Sequence, residues 1–151
     1  MDQMVRLRAF YHGKRVLITG HTGFKGSWLT KVLTMFGATV YGYSLAPATE
    51  PDLFSLCDFD GRLVSHIGDI RDRKEFMNFY AEAQPEIVFH LAAQPIVRTS
   101  YEDPAYTYET NVMGTVNMLE AVRTIPCARS VLNITTDKVY ENREWVWGYR
   151  E

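Results

Sequence analysis

Residues 17–29 read LITGHTGFKGSWL. An apolar run with a β-branched residue passes through three glycines into a stretch of helical spacing, the shape of a turn that cradles phosphate. In Gly20-His21-Thr22-Gly23-Phe24-Lys25-Gly26 the first glycine permits a tight exit from a strand. The second lets backbone approach a ligand, and the third lets the helix pack on the strand. The helix would then offer free N–H groups and its positive dipole end to a pyrophosphate. His21 and Lys25 are unusual company for such glycines. Lys25 either neutralises phosphate charge or lies solvated on the outer face of the helix. His21 either caps the turn or crowds the ligand, unless its role is structural.

Outward from this turn, strands alternate with helices. Arg15–Thr19 is predicted as a strand, and Gly23–Phe36 as a helix carrying Phe24, Leu29, Val32, Leu33 and Phe36, stopped by Gly37. Thr39–Ser44 is the second strand; Pro47 and Pro51 open a connection through Asp60 to which no element is assigned. Arg62–Ile67 is the third strand. Asp72 and Glu75 have the spacing of a capping box for a helix with Phe76, Phe79, Tyr80 and Ala83 on one face, ended by Gln84-Pro85. Glu86–Leu91 is the fourth strand, followed by the turn Ala92-Ala93-Gln94-Pro95. Asp103 and Pro104 read as N-cap and N1 of a long helix that carries Val112, Val116, Leu119 and Val122 and ends before Pro126. Ser130–Thr135 is the fifth strand, placed in the core, and the remainder is a polar and aromatic loop. Such alternation implies right-handed βαβ units: an α/β, Rossmann-type doubly wound parallel sheet with helices on both faces. Ligands of these sheets sit at the carboxyl ends of the strands, here just after Thr19, Ser44, Ile67, Leu91 and Thr135.

The composition bounds the alternatives. A chain of 151 residues is expected to form one domain, and 46% hydrophobic with 23% charged residues is ordinary for a globular protein. A formal charge of -2 gives no electrostatic reason to expect nucleic acid or an anionic membrane as partner. The opening residues lack the apolar stretch of a signal peptide, and no run approaches the ~18 apolar residues of a membrane span. Cys57 and Cys127 share no ligand spacing with His12, His21, His66 or His90, so neither metal nor disulfide is expected, and a reducing cytoplasm is the natural inference. Asn133-Ile134-Thr135 matches a glycosylation sequon but falls inside the predicted fifth strand, and is read as chance.

The dinucleotide can be read from the end of the second strand. Doubly wound sites place an acid there, ~20 residues after the glycines, for the NAD ribose, or an Arg nearby for the NADP phosphate. This chain offers Tyr43, Ser44, Leu45 and Ala46, with no Lys or Arg from Val32 to Gly61. NAD is expected, held less tightly than where the acid is present. Gly68-Asp69-Ile70 puts a carboxylate where an adenine amino group could bind, unless Asp69 only forms the turn into the next helix. Leu91-Ala92-Ala93-Gln94 supplies small residues where backbone must approach a ligand, or else a close-packed turn.

Taken together, TGHTGFKGSWL (19–29), GDIRD (68–72), FHLAAQ (89–94), ETNVMGT (109–115) and TTDKVYENREWVWGYRE (135–151) resemble the extended short-chain dehydrogenase/reductase superfamily. Within it they look most like the CDP-glucose 4,6-dehydratases. The resemblance implies an intramolecular redox cycle. NAD takes a hydride from C4 of the sugar, water leaves across C5 and C6, and the hydride returns to C6. The result is CDP-4-keto-6-deoxyglucose, on the route to bacterial deoxysugars of lipopolysaccharide O-antigen, and the class is lyase. Matched by position, Thr136 would hydrogen-bond near the 4-hydroxyl and Asp137 would be the general acid for the departing hydroxyl. Lys138 stands where related dTDP-glucose dehydratases carry a glutamate that removes the C5 proton. An ordinary lysine is almost wholly ammonium at pH 7, so Lys138 is either a base with a lowered pKa or an electrostatic stabiliser of the enolate. The plain alternative is an ion pair with Asp137 or Glu141. The cofactor set read from turns and resemblance together is Gly20, His21, Gly23, Phe24, Lys25, Gly26, Ser44, Asp69, Ile70, Leu91, Ala92, Ala93, Gln94, Thr110 and Thr135.

The superfamily's Tyr-x-x-x-Lys pair is absent from this sequence, and the family builds its sugar-nucleotide site mainly from a C-terminal region. The chain is therefore expected to be the amino-terminal, NAD-binding part of a longer enzyme, inactive alone, with residues 145–149 packing on that C-terminal region in preference to stacking on a substrate ring. By resemblance the 104–124 helix would serve a homodimer; otherwise its apolar stripe covers the sheet. An epimerase of the same superfamily would not be expected to carry Thr-Asp-Lys after the fifth strand. A dinucleotide-sensing module without chemistry would not need the Asp137 and Lys138 pair.

Overall fold

The apolar run of β1 (Arg15–Thr19) is buried on both sides because it lies at the centre of a five-stranded, all-parallel sheet. The computed structural model describes residues 2–136 and 138–150. The strand order is β3-β2-β1-β4-β5, with β2 at Thr39–Ser44, β3 at Leu63–Ile67, β4 at Ile87–His90 and β5 at Ser130–Asn133. This is the doubly wound arrangement expected from the sequence. Thr19 faces Tyr43 across one ladder and His90 across the other, so the reversal of strand order falls between β1 and β4. Doubly wound sheets open their ligand crevice at that point.

Successive side chains of a strand point to opposite faces, and both faces are covered. On one, Leu17, Tyr43 and Val88 meet Phe76, Phe79 and Tyr80 of α4 (Arg73–Ala83) and Met118 and Ala121 of α7 (Gly114–Thr124). On the other, Val16, Ile18, Val40 and Ile87 meet Ala38 and Leu33 of α2 (Phe24–Met35), with Tyr11 at the end of α1 (Gln3–Tyr11) against them. Each fully buried large side chain contributes about 1.5–3 kcal/mol, so the two layers carry the fold. Among the described residues there are also three short helices: α3 (Leu53–Leu56) inside the unassigned connection, α5 (Val97–Glu102), and α6 (Pro104–Tyr108). A π-turn at Glu109–Met113 joins α6 to α7. Among the described residues no helix is long and apolar enough to cross a membrane.

The caps behave as predicted at Asp103, whose side chain accepts the Tyr106 N–H ahead of Pro104. Asp72 likewise accepts the Glu75 N–H at 2.9 Å. Glu75 does not reach back to complete the box. Its carboxylate instead takes His66 Nε2 at 2.9 Å and the Tyr43 hydroxyl at 3.2 Å, tying the helix start to the sheet.

Three expectations are corrected. Helix α2 buries Gly26, Ser27, Thr30, Leu33 and Thr34, while Phe24 and Val32 are exposed. The 104–124 segment is not one regular helix, and its sheet-facing residues are Thr110, Gly114, Asn117, Met118 and Ala121. Val112, Val116 and Leu119 are exposed, and Val122 is half-buried. Beside one large apolar residue each, Leu33 and Met118, both helices meet the sheet through small and polar residues, so most of their other large apolar residues turn outward. Strand β5 is exposed along its length, an edge strand paired among the described residues with β4 alone, rather than a core strand.

Candidate functional site

The glycine turn closes on the carboxyl end of β4. Gly20 leaves β1 at φ 75°, and a Cβ there would meet Ala92 N and Leu91 C at 2.9 Å. A Cβ on Gly26 would collide with the Gly20 carbonyl and with His21 Cα, so the first turn of α2 lies directly on the strand exit. Gly23 differs: a Cβ there would meet nothing closer than Gly20 O at 3.4 Å, which leaves this backbone approachable. Gly23 is the N-cap of α2 and supplies no side-chain cap. The N–H groups of Phe24, Lys25 and Gly26 are thus the orphan donors of a helix start. Ser27 braces the turn by donating to Gly23 O at 2.9 Å and lies 3.2 Å from His21 O. Phe24 and Lys25 are exposed beside these donors. An approachable glycine, free N–H groups, a dipole end and a lysine together suit a pyrophosphate.

His21 contributes backbone to the turn and turns its ring inward. The ring is fully buried, with Nε2 2.7 Å from Ser65 Oγ, edge-on to Phe54, and over Gly42, where a Cβ would collide with it. Burial pulls its pKa down to about 4, so at neutral pH the ring carries no charge toward a phosphate.

The Leu91–Gln94 segment is held by polar groups that sequence reasoning missed. Thr19 Oγ1 accepts the N–H groups of Leu91 and Ala92, both at 3.1 Å, and lies 2.7 Å from His90 Nδ1. Asn111, in the π-turn, accepts Gln94 N–H at 2.7 Å and donates to Gln94 O at 3.0 Å. The Gln94 side chain donates to Thr107 Oγ1 and accepts the Ile96 N–H, so Gln94 acts as framework. Leu91 and Ala92 are half-buried and Ala93 is exposed. Thr110 is buried with no partner for its hydroxyl. The only signal in the sequence was polar residues interrupting apolar patterns, at Thr19, His90, Asn111 and Asn117.

After β3, Asp69 is gripped by Arg71 through Nε at 2.9 Å and a terminal nitrogen at 2.7 Å. That hydrogen bonding holds the carboxyl below its ordinary range. Arg71 also reaches Glu109 at 3.2 Å and stacks over the Tyr106 ring. Ile70 faces the core against Gly114, and its carbonyl accepts from Asn117 Nδ2 at 2.9 Å. Ser44, half-buried at the end of β2, is hydrogen-bonded to Thr22 at 2.8 Å. Thr135, Thr136 and Lys138 are exposed beyond β5, and Lys138 N–H donates to Thr136 Oγ1 at 3.0 Å. Asp137 lies outside the described residues. Among the described residues no cluster of His, Cys, Asp and Glu could hold a metal.

The family model described as GDP-mannose 4,6 dehydratase matches residues 17–146, from the glycine turn through the segment after β5. The chain belongs to this family. Among relatives of these dehydratases, CDP-glucose 4,6-dehydratase of Salmonella typhimurium is 59% identical over 142 residues, covering 94% of this chain and 40% of that protein. GDP-mannose 4,6-dehydratase of Vibrio cholerae is 34% identical over 116 residues, covering 73% of this chain and 31% of that protein. Among solved structures, the UDP-glucose 4-epimerase of Thermus thermophilus in complex with NAD is similar at a TM-score of 0.66 and 31% identity, over 75% of this chain and 35% of that one. An epimerase of Methanothermobacter thermautotrophicus is similar at a TM-score of 0.76 and 28% identity, over 86% of this chain and 37% of that one. The chain thus spans about 31–40% of the length of these proteins.

Proposed function

We propose that residues 1–151 form the NAD-binding part of a nucleotide-sugar 4,6-dehydratase acting on CDP-glucose. The reading rests on one observation above the rest: the turn at Gly20 and Gly26 is shut by protein, while Gly23, Phe24 and Lys25, at the uncapped start of α2, are exposed. The family supports dehydratase chemistry, and the 59% identical relative supports the CDP-glucose substrate.

When bound, NAD supplies a reversible hydride acceptor for the sugar's C4. The chain's own residues do the rest of its share. The N–H groups of Phe24, Lys25 and Gly26, with the Lys25 ammonium, neutralise the pyrophosphate. Leu91 and Ala92, fixed by Thr19, form the wall opposite. Asp69, with Ile70 beside it, would hold the adenine, the carboxylate accepting from the adenine amino group. Thr136 orients the 4-hydroxyl, and Asp137 gives its proton to the departing 6-hydroxyl. Lys138, exposed beyond β5, acts at C5 in one of two ways: it takes the C5 proton itself, or it steadies the enolate while a base from outside this chain takes that proton. The outward stripe of Val112, Val116 and Leu119 serves a homodimer of the complete enzyme.

Incubating the complete protein with CDP-glucose and NAD tests the reading. A 4-keto-6-deoxy product supports it; an epimerised sugar nucleotide moves the protein to the epimerases. NAD binding with no sugar chemistry leaves a sensor.

A further inference from the structure

The end of β2 has no carboxylate, yet its hydroxyls are wired in one direction. Thr22 Oγ1 lies 2.8 Å from the Leu45 carbonyl and 2.8 Å from Ser44 Oγ. A carbonyl oxygen only accepts, so the Thr22 proton goes to Leu45 and the Ser44 proton goes to Thr22. Thr22 is only 6% exposed, out of a ligand's reach. Ser44 is half-buried at the strand end, with lone pairs alone left to offer.

We infer that Thr22 sets dinucleotide specificity as a positioning residue: by taking the Ser44 proton, it makes the end of β2 an acceptor for a ribose hydroxyl and a poor neighbour for a ribose 2′-phosphate. The inference rests on the dinucleotide reading of the glycine turn. A ribose hydroxyl brings a proton to donate, whereas a 2′-phosphate brings only acceptor oxygens and negative charge and needs donors or cations. None is at hand in the adjoining chain. No Lys or Arg occurs between Val32 and Gly61, and the segment 47–56 lines a hollow of about 650 Å³ that carries Glu50 and Asp52. Lys31, next before that interval, is engaged by Asp58 O and Asp60. The backbone carbonyl of Ser44 is also taken, by Gly68 N–H at 2.9 Å. The hydroxyl chain is therefore a neutral substitute for the missing acid.

The test is calorimetric titration of the complete protein with NAD and with NADP. Wild-type protein that binds neither overturns the dinucleotide reading itself, and one that prefers NADP overturns the inference. With NAD preferred, Thr22→Val frees the Ser44 proton to point outward. The ratio of NADP to NAD dissociation constants is then expected to fall about two- to tenfold, the worth of one neutral hydrogen bond. Thr22→Ser, which keeps the hydroxyl, is expected to leave the ratio where it was. An unchanged ratio in Thr22→Val, or an equal fall in Thr22→Ser, overturns the inference. Should Thr22→Val fail to fold, Ser44→Ala decides: NAD weakens by a similar factor while NADP does not, and equal weakening of both overturns it.

Discussion

His90 Nε2 donates to Thr115 Oγ1 at 3.2 Å, because the Thr115 proton is already committed to the Asn111 carbonyl at 2.7 Å. This fixes the tautomer: Nδ1 is bare and accepts the Thr19 hydroxyl proton, leaving the Thr19 lone pairs for Leu91 and Ala92. Protonating the ring would set two protons against each other in a buried site. Burial alone already pulls the His90 pKa down to about 4.

Acid sensitivity is the consequence of that shift's sign. His90 and His21 both have folded pKa values of about 4, below the unfolded value of 6.5. The unfolded chain therefore binds more protons, and stability is lost as pH falls from about 6.5 toward 4. Each ring contributes up to ~3 kcal/mol of that loss. Urea unfolding between pH 7 and 4.5 should show a falling midpoint, and His90→Gln should flatten the dependence. A midpoint that stays level would show that the rings are not held neutral.

The glycines of the turn separate folding from binding. Gly26→Ala drives a methyl into the Gly20 carbonyl and should cost about 1–3 kcal/mol of stability. Gly23→Ala meets nothing closer than 3.4 Å and should unfold near the wild-type temperature while binding NAD more weakly. Thermal unfolding beside NAD titration checks both; equal destabilisation by the two changes would contradict the assigned roles.

Asn111→Ala removes both hydrogen bonds to the Gln94 backbone and leaves a partly buried N–H and C=O without partners. A loss of about 1–3 kcal/mol is expected. Asn111→Asp keeps the acceptor for Gln94 N–H but sets a carboxylate oxygen against the Gln94 carbonyl. In chemical denaturation at neutral pH it should be no more stable than alanine, and an aspartate as stable as wild type would refute the two-bond clamp.

Lys25→Ala tests the cation beside the uncapped N–H groups. NAD binding should weaken about two- to fivefold at low salt, with a smaller difference at 0.5 M salt, since the lysine is exposed and its attraction is screened. Tighter binding in the variant would show that the lysine crowds the turn instead.

The sheet was legible in the sequence because β1, β2 and α4 bury what their patterns advertise: Val16 to Ile18, Val40 and Tyr43, Phe76 and Tyr80. The glycine turn was legible for the same reason, since glycine is required where backbones meet. Periodicity misled at α2 and α7, where close approach to the sheet selects Gly26, Ser27, Gly114 and Ala121 and sends Phe24, Val32, Val116 and Leu119 outward. The Thr19, His90 and Asn111 network was not legible, because its members lie up to 92 positions apart and meet only through the parallel register of β1 with β4.

Gly42 beneath the His21 ring has counterparts in Gly68 against Tyr43 and Gly114 against Ile70, each lacking room for one more carbon. Every such pair is a single volume divided between two positions. A homologue with a smaller residue at 21, 43 or 70 is free to carry a side chain at the matching glycine, and one that keeps the large residue is not. Drift at these six sites is bound to occur in pairs, so an exchange at one of them reports on the size of a residue far from it in sequence.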